Sequence, residues 1–149
     1  MRPSSAFMAL ALVAALALSP GCAPVPVKQQ VDRADRTAFE SLRTFQQIET
    51  GLFQAGLAWP TAAQHKAIAS KLSSAYLLVV DVANAALSLK AGEPAPAQLQ
   101  ASLAQLGALV ADVAALASQP AGAPPNATAA AEKAKSDAAK LSAAVQGVK

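Results

Sequence analysis

The sequence predicts an all-α fold. Alanine occupies 40 of the 149 positions, aromatic residues make up 4% of the chain, and no alternating strand pattern recurs. Alanine has the highest helix propensity, and the apolar residues recur at helical spacing. Three helices of about 22 to 30 residues with short links predict an up-down three-helix bundle. A fourth, C-terminal segment either docks as a helix or stays loosely attached.

Residues 1–21 have the pattern of a secretory signal peptide, which is removed from the mature protein. Arg2 precedes an uninterrupted apolar run from Ala6 to Leu18. At about 1.5 Å per residue this run spans roughly 20 Å, whereas the hydrocarbon core of a bilayer is roughly 30 Å thick. A permanent transmembrane helix is therefore not expected here.

The next residues, Ser19, Pro20, Gly21 and Cys22, resemble the lipobox of bacterial lipoprotein precursors. In that family small residues precede a cysteine whose thiolate accepts a diacylglyceryl group. The resemblance implies cleavage after Gly21, so that Cys22 becomes the first mature residue and carries diacylglyceryl and N-acyl lipid. Ala23 after it implies the outer membrane. The apolar residue of the motif, Leu18, lies one place early, and Pro20 stands where Ala or Ser is usual.

Two alternatives remain open for this segment. Ordinary signal peptidase cleavage would use the small residues Ala17 and Ser19 and leave Cys22 unmodified, and an uncleaved segment would act as an anchor. A single cysteine cannot close an internal disulfide, and an exposed thiol is reactive in an oxidising compartment. These points favour acylation of Cys22.

The mature chain is predicted to begin with a Pro-rich tether over residues 22–27, because Pro24 and Pro26 oppose helix and favour extended backbone. Removal of residues 1–21 leaves 128 residues, enough for one small domain, with a net charge of +2. The charges are dispersed along the chain, so nucleic-acid binding is not expected. The expected partners are the membrane, through the lipid, and an unknown envelope protein or a second copy of the chain.

The bundle itself is predicted over residues 28–118. The first helix runs from about Lys28 to Gly56 with one apolar face. Thr61 and Gln64 resemble a capping box for the second helix, which extends to about Lys90; alternatively Trp59 caps the preceding helix and Pro60 occupies the first turn. Residues 76–80, "YLLVV", are apolar all round. They predict that the second helix is the central, most buried one.

The remaining chain is divided by proline and glycine. The third helix is predicted from about Ala97 to Ser118, and residues 119–128 form a Pro/Gly linker. The C-terminal helix is predicted over residues 129–149, with an apolar face made mostly of alanine.

Few residues carry chemistry. His65 is the only histidine and is expected to be an exposed helical residue, because a lone imidazole completes neither a zinc site nor a catalytic triad. Glu49 falls among apolar positions and is expected to reach solvent or to pair with Lys66 or His65. No phosphate-binding or hydrolase motif is present, so we expect neither enzymatic activity nor a metal or other cofactor besides the covalent lipid.

Trp59 and Tyr76 are candidate ligand or partner contacts, with core or loop packing as the commoner alternative. The last residue, Lys149, resembles the C-terminal lysine by which Braun's lipoprotein is joined to peptidoglycan. Only the two ends of the chain share this likeness, because the strict heptads of that coiled coil are missing.

Together these features lead to one functional hypothesis and two alternatives. The hypothesis is a lipid-anchored cell-envelope protein at the outer membrane, facing the periplasm, that acts as a non-enzymatic structural or interaction module. The first alternative is a periplasmic carrier of a small ligand or lipid, with a cavity lined by Tyr76, Leu77 and Leu78. The second is a peptidoglycan tether through Lys149.

Overall fold

The computed structural model describes residues 26–90, 93–118 and 122–147. These ranges contain four helices, α1 (Val27–Gln54), α2 (Ala62–Ser88), α3 (Ala97–Ala117) and α4 (Pro125–Gln146), and no strand. The predicted all-α class is therefore confirmed. α1 begins one residue inside the predicted tether, at Val27.

The four helices form a closed ring. α1 packs against α2 and α4, and α3 packs against the same two helices. Short links make neighbouring helices antiparallel, so the chain runs up, down, up and down. One end of the bundle, called here the Val27 end, holds the start of α1 and the end of α4. The opposite end, called the Trp59 end, holds the link between α1 and α2.

The core fills the centre of the ring and draws on all four helices. Its largest fully buried apolar side chains are Phe45, Leu42, Ile68, Leu72, Leu106, Leu141, Val31, Val79, Val82, Val110 and Val113. α3 is also the one described helix that is long and apolar enough to cross a membrane by length and composition. Its face with Leu99, Leu106 and Val113 is buried against the other helices.

The link between α1 and α2 is closed by two local motifs. Gly56 has a φ of 68°, and the amide of Leu57 donates to the carbonyl of Leu52 at 3.3 Å. This is the Schellman arrangement, which favours glycine because of the positive φ. Thr61 and Gln64 then form both halves of a capping box. The predicted capping box is confirmed, and the chain reverses within seven residues, 55–61.

α4 differs from the prediction in two ways. It starts at Pro125, inside the predicted linker 119–128, because proline fits the first helical position, where no amide donor is needed. It is also an integral member of the ring, packed along α1 and α3, so the predicted three-helix bundle is replaced by four packed helices. Its buried face is mostly alanine, which allows helix axes to approach closely.

α2 also differs from the prediction. No described helix is central, since each of the four has one face in the core and one outside. In residues 76–80 only Val79 is fully buried, while Leu77 is 67% exposed and Val80 is 46% exposed. The apolar run therefore presents two large side chains to the outside of the bundle.

A buried carboxylate joins α4 to α1. Asp137 on α4 is 1% exposed and accepts a hydrogen bond from the Ser41 hydroxyl of α1 at 2.5 Å. Lys140 donates to the same carboxylate at 2.8 Å, and Lys133 donates to it and to the Ser41 oxygen. Burial by itself raises the pKa of Asp137. The hydrogen bonds from Lys133, Lys140 and Ser41, together with the charge of Lys133, outweigh burial and lower that pKa from 3.8 to about 2.

The lowered pKa makes stability depend on pH in a defined window. The unfolded carboxyl group takes up its proton near pH 3.8, whereas the folded one stays charged down to about pH 2. The contribution of Asp137 is therefore fully present above pH 3.8 and is lost as the pH falls to about 2. Each unit by which folding lowers a pKa corresponds to about 1.4 kcal/mol, so the contribution is about 2 kcal/mol.

We expect Asp137→Asn to lower the free energy of unfolding by about 2 kcal/mol at pH 7 and by progressively less between pH 4 and pH 2. Urea unfolding followed by circular dichroism at several pH values measures both effects. The matched control is Asp112→Asn, because Asp112 also pairs with a lysine, Lys71, but its side chain is 59% exposed. Equal losses in the two variants would contradict the role assigned to Asp137.

Candidate functional site

Three of the residues singled out from the sequence, Gly21, Cys22 and Lys149, lie outside the described residues. The acylation, cleavage and peptidoglycan-link predictions therefore stay predictions. The structure gives the positions of the helix that follows Cys22 and of the helix that precedes Lys149. α1 starts at Val27 and α4 stops at Gln146, both at the Val27 end of the bundle.

Trp59 lies in the core. It is 2% exposed and belongs to the main cluster of buried apolar side chains. Its indole nitrogen Nε1 is buried without a hydrogen-bond partner among the described residues. Trp59 therefore closes the Trp59 end of the core, as in the packing alternative, and offers no surface to a partner.

Glu49 and His65 form a polar pair between α1 and α2 near the same end. Glu49 is 1% exposed, and its Oε1 lies 2.7 Å from His65 Nδ1. The Thr50 hydroxyl donates to the other carboxylate oxygen at 3.3 Å, and the ring of Phe53 stacks on the imidazole with centroids 4.0 Å apart. Of the outcomes predicted for Glu49, pairing with His65 is confirmed and access to solvent is wrong. The prediction of an exposed His65 is also wrong, because its side chain is only 28% exposed.

The Glu49–His65 pair is suited to a structural role. Within the described residues no three His, Cys, Asp or Glu side chains come close enough together to hold a metal ion. The hydrogen bond satisfies a carboxylate that would otherwise be costly to bury. Glu49 and His65 therefore fix α1 against α2, and we assign them that role.

Tyr76, the second aromatic candidate, lies at the surface between α1 and α2. Its hydroxyl donates to Gln46 Oε1 at 2.9 Å, and its ring packs against Phe39 with centroids 5.0 Å apart. Phe39, Arg43, Gln46 and Tyr76 line an open groove of about 320 Å³. Burial raises the pKa of the Tyr76 hydroxyl, and the nearby charge of Arg43 opposes that rise.

Large apolar side chains follow Tyr76 along the outer side of α2, beside this groove rather than in its lining. Leu77 and Val80 follow Tyr76 on the outer side of the helix, and Phe39 on α1 is 37% exposed. We call the surface made by Phe39, Arg43, Gln46, Tyr76, Leu77 and Val80 the α1–α2 patch. Clustered exposed apolar residues at the rim of a groove are typical of interaction surfaces. Among the described residues this is where exposed aromatic and aliphatic groups come together.

A carboxylate lies one helical turn from the patch. Asp35 precedes Phe39 by four residues on α1, and its Oδ1 is buried with no hydrogen-bond partner in the part of the chain that the structure describes. Burial raises the pKa of Asp35, the negative charge of Asp32 raises it further, and Arg36 lowers it. A desolvated carboxylate oxygen without a donor is unfavourable.

Tyr76, Leu77 and Leu78 do not line the common cavity that the carrier alternative predicted, because Leu77 points outward and is 67% exposed. A separate cavity of about 610 Å³ lies between α3 and α4 at the Val27 end. Its lining combines apolar Leu103, Ala104 and Val145 with polar Gln100 and Ser142.

Sequence reasoning named Tyr76 and placed Leu77 and Val80 in a buried run, but it missed Phe39, Arg43 and Gln46. Phe39 and Val80 are large apolar residues on the outer faces of α1 and α2, where the neighbouring residues are mostly polar or small. A helical wheel of each helix can show this signal. No family model matches the chain, and neither a curated protein nor a solved structure shows significant similarity to it. The interpretation of the site therefore depends on its own chemistry.

We expect His65→Ala to lower the free energy of unfolding by about 2 kcal/mol, because it leaves the Glu49 carboxylate buried without its partner. In Glu49→Leu/His65→Leu, both polar groups are removed, and much of the loss should be recovered. A double-mutant cycle by urea unfolding, with the single Leu variants, measures the coupling. Additive single effects would show that the two side chains do not act as a pair.

Proposed function

We propose that the chain is a lipid-anchored, non-enzymatic interaction module of a bacterial cell envelope, held at the outer membrane by acylated Cys22 and facing the periplasm. The observation that carries the proposal is the short distance along the chain between Cys22 and the bundle. α1 starts at Val27, so five residue steps separate them. An extended chain covers about 3.4 Å per residue, so the bundle would lie within about 17 Å of a lipid on Cys22.

The local backbone supports such a spacer. Pro26 has a φ of −52° and a ψ of 137°, an extended conformation next to the first helical residue. Each buried CH₂ of an acyl chain contributes about 0.8 kcal/mol, so two or three chains hold a protein on a membrane stably. The Val27 end would then face the membrane.

The α1–α2 patch supports the interaction part of the proposal. Phe39 lines its groove, and exposed Leu77 and Val80 lie on the neighbouring outer side of α2, where a partner would bury them. Interfaces are enriched in aromatic residues and arginine, which Phe39, Tyr76 and Arg43 supply here. The module would thus act by presenting this surface from the membrane.

The anchor is tested by the intact mass and the fractionation of the mature protein. We expect wild-type protein to be extracted from membranes with a mass that begins at Cys22 and includes the acyl groups. Cys22→Ser should appear unacylated and outside the membrane fraction, while Ser19→Ala, which keeps a small residue before the cysteine, should behave like wild type. An unmodified wild-type mass or a soluble wild-type product would overturn the anchor.

A small-ligand carrier is the second candidate, and the cavity between α3 and α4 favours it. Its volume of about 610 Å³ lies within the range typical of small-molecule sites, and its lining is both apolar and polar. An amphipathic ligand would place its apolar part against Leu103 and Val145 and its polar part toward Gln100 and Ser142.

The carrier proposal predicts that Ala104→Trp fills the cavity and abolishes binding of an amphipathic fluorescent probe such as 1-N-phenylnaphthylamine. Ala101→Trp is the matched control, because Ala101 lies on the exposed side of the same helix and outside the cavity lining. Fluorescence titration measures both variants against wild type. Absence of saturable probe binding by wild-type protein would remove the carrier proposal.

A further inference from the structure

The α1–α2 patch combines an apolar centre with charges that are arranged symmetrically about it. Phe39 lies at the centre on α1, with Asp35 four residues before it and Arg43 four residues after it. Residues four apart lie on the same side of a helix. Asp35, Phe39 and Arg43 therefore form one stripe, about one turn between neighbours, with opposite charges at its two ends.

Neither charged end of the stripe is paired within the described part of the single chain, and Arg43 is exposed whereas Asp35 is half-buried with one carboxylate oxygen covered. Neither Asp35 nor Arg43 forms an ion pair or a hydrogen bond through its side chain within the described ranges, although Arg36 acts on Asp35 and Arg43 acts on Tyr76 through their charges. By contrast, Asp32 and Arg36 on the same helix pair with each other at 3.3 Å. The stripe is thus left incomplete in the single chain.

From this arrangement we infer that the patch binds a second copy of the chain, with the two α1 helices antiparallel and a two-fold axis passing near Phe39. Such an axis exchanges positions on either side of Phe39, so Asp35 of each copy faces Arg43 of the other. The interface is self-complementary, as two-fold dimers require. The inference extends the proposed function, because it names the partner of the interaction module.

Charge selects this orientation over the parallel one. A parallel pairing, with the axis along the helices, would place each residue near its own copy. Asp35 would then face Asp35 and Arg43 would face Arg43, and like charges across an interface are unfavourable. The antiparallel pairing gives opposite charges at both ends, with the Arg43 guanidinium of one copy near the accessible side of the Asp35 carboxylate of the other.

The apolar groups of the patch are covered by the same pairing. Tyr76 contacts Phe39 directly, and Leu77 and Val80 continue the apolar surface on the adjoining helix. With the axis near Phe39, this surface of one copy lies against the same surface of the other. Aromatic and aliphatic groups would thereby form the dry centre of the interface, and the charges its rim.

The test is charge reversal with rescue in the full mature chain. We expect wild-type protein in detergent to be dimeric by sedimentation velocity at about 50 μM, and Asp35→Arg or Arg43→Asp to weaken the dimer at least about tenfold because each creates like charges across the interface. The double variant Asp35→Arg/Arg43→Asp should restore the dimer, since the opposite charges are exchanged. A parallel dimer or a merely structural role gives no such rescue.

The matched control is Arg33→Asp. Arg33 is exposed on α1 but lies on the side away from the patch, so the same charge change should leave the dimer intact. Circular dichroism of every variant checks that the bundle is folded. Monomeric wild type at 50 μM, or single reversals without effect, would overturn the inference. So would a monomer that binds uncharged phosphatidylcholine vesicles through Leu77 and Val80, because the patch would then be a membrane contact.

The same measurement in a Cys22→Ser background separates this inference from the anchor. A dimer that persists without the cysteine supports the inference even if the mass of the wild-type protein shows no lipid. An acylated chain that stays monomeric keeps the anchor and removes the second copy as its partner.

Discussion

The hydrogen bond between Ser41 and Asp137 is the contact on which the register of the bundle depends. The buried face of α4 is largely alanine, at positions 127, 131, 134 and 138. A shift of α4 by one turn would still place alanine at most of these positions, so apolar packing selects the register mainly through Leu141 and Val145 near the end of the helix. Asp137 has no equivalent one turn away and must find Ser41, because an unpaired buried carboxylate is costly. The Asp137 carboxylate therefore helps to select one register of α4, and the alanines allow the helices to approach closely.

α1 forms polar contacts with both of the helices that it packs against. On one side Ser41 bonds to α4, and on the other Glu49 bonds to His65 of α2. Farther along the same boundary with α2, Gln46 and Phe39 meet Tyr76. These contacts fix the rotation of α1 about its own axis as well as its position along its neighbours. The outward presentation of Phe39 and Arg43 follows from that constraint, so the core contacts determine which residues of α1 can meet a partner.

Helical propensity and periodicity were sufficient to predict the all-α class, the approximate extents of α1, α2 and α3, and the capping box at Thr61. They were insufficient for α4, because alanine marks a helix without marking a buried face, and tertiary contacts such as that of Asp137 with Ser41 and the burial of Leu141 distinguish a docked helix from a loose one. Residues 76–80 failed for the opposite reason. An apolar run indicates burial on all sides, yet a ring of four helices leaves an outer face, and Leu77 lies on it. The pairing of Glu49 with His65 followed from helix reversal and charge, whereas the groove at Tyr76 depends on two helices coming together.

The number of helices determines where the chain leaves the bundle. Four antiparallel helices return the backbone to the end at which it started, so Gln146 and Val27 share one end, whereas three helices would have placed the last residue at the far end. Lys149 follows Gln146 by three residues, a reach of about 10 Å at most. With the proposed anchor at Cys22, a covalent bond at that lysine would attach to something close to the membrane surface, and the long axis of the bundle would add nothing to its reach. An even number of helices thus leaves both ends of the chain at one end of the bundle and keeps the outer faces of the helices free of the attachment points.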